Sequence, residues 1–83
     1  MSNLPRLSDE EARAVDEIRA AGVQAITMRC SLVNSLSSFR SDRLALSVCK
    51  LRPDQRERLR ENARHSIACA KVAKVVLAGE VSP

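Results

Sequence analysis

The stretch from Ser8 to Leu36, SDEEARAVDEIRAAGVQAITMRCSLVNSL, decides the fold. Ser8 with Glu11 three residues later is a capping box: the hydroxyl accepts from the amide of Glu11 while the carboxylate accepts from the amide of Ser8, and a helix starts there. Downstream, Val15, Ile18, Gly22, Ala25, Leu32 and Leu36 follow helical spacing, and Val23, Ile26, Cys30 and Val33 form a second stripe beside them. Two stripes require more than one buried face. The pattern predicts an N-terminal arm over 1–8 and a helix over 9–37.

Outward from that stretch, Ser35, Ser37, Ser38, Ser41 and Asp42 make a polar break. Ser41 can cap a short helix over 42–51 that carries Leu44, Leu46, Val48 and Leu51. Pro53 suits the first position of a last helix over 53–78, where Asp54 and Glu57 favour the helix dipole and Gly79 marks the end. Leu59, Ala63, Ser66, Ala70, Ala73 and Leu77 line one face of it, widened by Ile67, Val72, Val75 and Val76. Small side chains allow close helix approach. The expected fold is a single all-α domain: an antiparallel helical hairpin with a short middle helix, assembling into a homo-oligomer because one hairpin leaves apolar surface uncovered.

With 83 residues, such a domain removes only about 60% of its unfolded surface from water, so it needs a further source of stability. Disulfides are a poor candidate. No charged and apolar leader opens the chain, and three cysteines in no paired spacing fit a reducing cytoplasm. Zinc fits no better, since Cys30, Cys49 and Cys69 stand far apart and His65 is the sole histidine. No apolar run approaches the roughly eighteen residues that a membrane span needs. Association between copies is what remains.

Catalytic patterns are missing: there is no Gly-rich phosphate loop, no HExxH, no nucleophile elbow, and neither tyrosine nor tryptophan. His65 and Cys69, one turn apart, read as packed helix residues, and the expectation is a protein that binds without catalysis and without a cofactor. Arg56, Arg60 and Arg64 form a ridge that can meet phosphates, but Glu57 and Glu61 interleave with them, which describes a solvated face laced with ion pairs. The net charge of +4 is compatible with an anionic partner. Polymeric nucleic acid is not expected, because Phe39 is the only aromatic platform.

The segment Leu4 to Gly22, LPRLSDEEARAVDEIRAAG, resembles the start of the phage anti-CBASS signal sponges and their anti-Thoeris relatives. That family's pattern runs aromatic, leucine and serine, glutamate, an Ile-Lys pair and glycine, and Leu7, Ser8, Glu11, Ile18, Arg19 and Gly22 match it in order. The closing segment ENARHSIACAKVAKVVLAG is similar to the family's alanine-rich last helix, with Lys74 at its late basic position. The resemblance implies a hexamer that sequesters cyclic di- or trinucleotide messengers between protomers without cleaving them, an immune-evasion role in the host bacterial cytoplasm. It places Arg19 on the ligand phosphate, with Arg6 and Lys74 as further cations, and Leu4 where the family has a base-stacking tyrosine. Lys71 and Val72 stand near positions where the family carries large aromatic or methionine side chains. A second expectation, from the surplus apolar surface alone, is an inhibitor or adaptor of a host protein.

Overall fold

The computed structural model describes residues 5–81, which form three helices: α1 (Asp9–Ala21), α2 (Ala25–Val48) and α3 (Pro53–Val81). The fold is all-helical, with no strand among the described residues. Both arms of the capping box form: the Ser8 amide donates to Glu11 Oε1 at 2.8 Å and the Glu11 amide donates to Ser8 Oγ at 3.2 Å. Asp9, Glu10 and Glu11 then sit in the first turn and Arg19 in the last, each on the favourable side of the helix dipole.

The helix expected over 9–37 is two helices. At Gly22 the backbone turns left-handed (φ 69°, ψ 35°), its amide donates to the Arg19 carbonyl at 3.2 Å, and the Val23 amide donates to the Ile18 carbonyl at 3.5 Å. This paired closure ends α1, and Ile18 and Val23 both pack against the core beside it. Gly22 therefore belongs to a turn and not to a buried stripe.

A second difference lies in the middle of the chain, where no separate helix over 42–51 exists and α2 runs unbroken to Val48. Each serine lowers helix propensity by only about 0.5 kcal/mol. Leu36 and Phe39, both half-buried, line a groove with the half-buried Ile67 of α3, and that packing carries the helix through Ser35–Asp42. Cys49, with φ −93° and ψ 142°, then leaves helical conformation. The connection to α3 is tied by the Arg52 amide donating to Gln55 Oε1 at 3.1 Å, and Pro53 opens the helix as its ring geometry favours. Instead of stopping at Ala78, α3 continues through Gly79 to Val81. A glycine inside a helix costs about 1 kcal/mol relative to alanine, which weakens the helix without ending it.

Val15, Met28, Val72, Ala73 and Val76 form the buried core, with Leu7, Ile18, Val23, Leu32, Val75 and Leu77 packed around it. It sits where α1 and the first half of α2 meet the last third of α3. Contacts order the helices: Met28 lies with Val72 in that core, Phe39 shares its groove with Ile67, and Arg56 Nη1 donates to the Leu46 carbonyl at 3.3 Å. Along α1, Glu11 meets Lys71 and Arg19 meets Val75. α3 thus supports both other helices, and the side of α2 turned away from α3 is left open.

Candidate functional site

Of the residues expected to hold a ligand, Leu4 lies outside the described residues. Arg6 is exposed in the non-helical segment before Ser8. Arg19, also exposed, reaches across to α3, where Nη2 donates to the Val75 carbonyl at 3.4 Å. A Cβ built on Gly79 would stand 2.9 Å from that same nitrogen, so the glycine makes room for the guanidinium. Lys74 is exposed on α3, next in sequence to the carbonyl that Arg19 meets. No hydrogen bond or ion pair among the described residues joins Arg6 to this end of α3.

Below Arg19 on the same seam, Lys71 Nζ lies 3.5 Å from Glu11 Oε2, while the other carboxylate oxygen of Glu11 accepts from the Ser8 amide. That amide, the Ser8 hydroxyl and the Lys71 charge together hold the Glu11 carboxyl below its usual range, against an opposing push from burial. Lys71 is thereby committed to a structural ion pair across α1 and α3.

Two grooves flank α2. The first, about 340 Å³, runs between all three helices over an apolar floor of Ala14, Ile18, Met28 and Val72, with Glu10, Glu11, Ser31, His65 and Cys69 around it. His65 Nε2 and Cys69 Sγ are 3.6 Å apart at its edge. Among the described residues neither carboxylate of the groove hydrogen-bonds the imidazole, so the pair lacks the third group that would orient a general base. No metal-holding cluster of histidine, cysteine, aspartate and glutamate occurs among the described residues.

The second groove, about 540 Å³, is lined by Leu36, Phe39, Arg40, Arg43, Leu44, Ser47 and Ile67. The Arg43 guanidinium carbon lies 5.6 Å from the centre of the Phe39 ring, a cation–π pair at helical spacing of four. Two arginines therefore stand beside the chain's only aromatic ring on an open surface. Sequence reasoning missed this trio because Ser35–Asp42 read as a break. Had α2 been continued through the serines, the four-residue step from Phe39 to Arg43 would have put both on one face.

The outer side of α2 carries the largest exposed aliphatic residues: Ile26 (61%), Val33 (61%), Leu44 (62%) and Val48 (67%). Cys30 is exposed between the first two. Part of this is the second stripe of the sequence, which faces outward while Met28 and Leu32 face the core. On α3, Glu57 lies 3.8 Å from Arg60 and 3.1 Å from Arg64, all well exposed, while Arg56 turns to the Leu46 carbonyl. The arginine ridge is partly neutralised and partly structural.

The chain matches no protein-family model, curated protein or solved structure. Its function is thus read from the geometry of these surfaces. No helix of the described residues is long and apolar enough to cross a membrane.

Proposed function

We propose that this chain is a non-catalytic helical binder that self-associates and sequesters a small anionic nucleotide, of the cyclic oligonucleotide class, at the edges of its subunit seams. The observation that carries the ligand reading is the Phe39–Arg43 pair beside Arg40 in an open groove: a ring for a base, two guanidinium forks for phosphates. Stacking of one base on an aromatic side chain contributes about 1 to 3 kcal/mol. Arg19 and Lys74, both exposed, supply further cations toward the far end of α3, the ones to which the resemblance to the sponges assigns the ligand. In its finer form the proposal is a set of antiparallel helical hairpins gathered into a hexamer in the cytoplasm of a bacterial host.

Self-association is supported by the aliphatic residues on the outer side of α2. At roughly 60% exposure each contributes about 1 to 2 kcal/mol when covered, and a pair of copies covers both sets. That sum is of the same order as the cost of association, about 4 to 15 kcal/mol. The exposed face equally favours a second reading, an inhibitor or adaptor that presents α2 to a host protein.

Isothermal titration against cyclic di- and trinucleotides tests the ligand reading. Heat is expected from at least one of them, reduced about tenfold or more in affinity by Arg43→Ala and separately by Arg19→Ala if Arg19 holds ligand too. Silence across the whole panel removes the sponge and leaves the protein-directed reading.

A further inference from the structure

We propose that the groove between the three helices binds a small apolar molecule that carries one positive charge. The ligand is opposite in sign to the nucleotide proposed above, and its groove is a different one.

Ala14 and Ile18 of α1, Met28 of α2 and Val72 of α3 converge on a cavity of about 340 Å³. Small-molecule sites favour such places, where helices part over an apolar floor and a few polar groups stand at the edge. The volume lies near the lower end of the usual range of about 300 to 1,000 Å³, which admits a molecule of about two aromatic rings.

Charge fixes the class of that molecule. The chain has 14 Lys and Arg against 10 Asp and Glu, yet this groove is lined by the carboxylates of Glu10 and Glu11 and by no lysine or arginine. Neighbouring cations are engaged elsewhere. Lys71, beside Val72, lies 3.5 Å from Glu11 Oε2, and Arg64, beside His65, donates to Glu57 Oε1 at 3.1 Å. Arg19 donates to the Val75 carbonyl, and Arg29 lines a separate groove with Val33. Lys71 thus offsets Glu11 and leaves Glu10, which no ion pair among the described residues engages, not even with Arg13 one turn along α1. A cation on an apolar body meets Glu10 while its rings cover the floor. An anion would face that carboxylate over a floor that gives its charge no partner.

The test uses the unmodified chain and three dyes of similar size: auramine O, a cation; N-phenyl-1-naphthylamine, neutral; and 1-anilinonaphthalene-8-sulfonate, an anion. Cys69 lines the groove, whereas Cys30 and Cys49 are exposed away from it. Auramine O is expected to fluoresce on binding and, at about four times its Kd, to slow alkylation of Cys69 by iodoacetamide about fivefold. Peptide mass mapping should show Cys30 and Cys49 unchanged. Glu10→Gln, its helical spectrum checked by circular dichroism, is expected to weaken auramine O about two- to fivefold, the range of an exposed ion pair, and to leave the neutral dye as it was. The proposal is overturned if no dye slows Cys69, or if the anion protects it as well as the cation does. It is equally overturned if Glu10→Gln leaves the cation unchanged or weakens the neutral dye as much.

Discussion

Replacing Gly22 by alanine isolates the turn that separates α1 from α2. The Cβ that alanine adds would meet nothing within 4 Å, so no clash contributes and the effect is one of backbone conformation. Holding an L-residue left-handed costs about 1 to 2 kcal/mol. Alanine also reduces the freedom of the unfolded chain, which returns about 0.4 to 1 kcal/mol. The net expectation is destabilisation by about 1 kcal/mol, or roughly 4 to 8 °C in Tm for a domain of this size. Escape by fusing α1 and α2 into one straight helix is closed, because it would carry Val15 and Ile18 away from Val72, Ala73 and Val76. Thermal and urea unfolding followed by far-ultraviolet circular dichroism reads the change, tyrosine and tryptophan being absent as fluorescent probes. Gly22→Asn, whose side chain tolerates the left-handed region, should fall between the two. An alanine variant as stable as the parent would refute the argument, since the left-handed turn would then not be required.

Truncating Val76→Ala, at 1% exposure, should cost about 2 to 3 kcal/mol in urea denaturation through lost contacts and a cavity; a loss under about 0.5 kcal/mol would mean that the core is loosely packed. Glu11→Gln should lower stability at neutral pH. The folded carboxyl titrates below its ordinary 4.5, so the parent's advantage is full above that value and fades as pH falls through the lowered one; melting curves from pH 7 to pH 3 should converge, and curves that diverge on acidification would contradict the pairing. Glu57→Ala, which frees two exposed arginines, should change stability by no more than about 0.5 kcal/mol and increase affinity for a phosphate-rich polyanion.

Local signals were legible where one or two neighbouring residues settle them. Ser8 and Glu11 need only each other to form their reciprocal bonds, and Pro53 opens α3 through the geometry of its own ring. The interleaving of Glu57 with Arg60 and Arg64 likewise forms ion pairs within one helix. What escaped depends on distant packing. Whether Gly22 continues a helix or turns it is decided by Ile18 and Val23 meeting the core. The serines from Ser35 to Ser41 look like a stop until α3 supplies Ile67 beside Phe39. Gly79 looks like an end until the Arg19 guanidinium occupies the space that a side chain would fill. The Phe39–Arg43 groove was hidden with the serines that flank it.

The uneven placement of the core leaves the molecule with two ends of different character. Every residue of the buried cluster lies at the end where three helices meet, whereas the other end, from Leu44 through Leu59, has no fully buried side chain. Amide exchange with deuterium should therefore be graded along the long axis. Protons around Val15, Met28 and Ala73 should exchange only when the whole domain opens, and those around Cys49 and Arg52 by local fraying that leaves the rest intact.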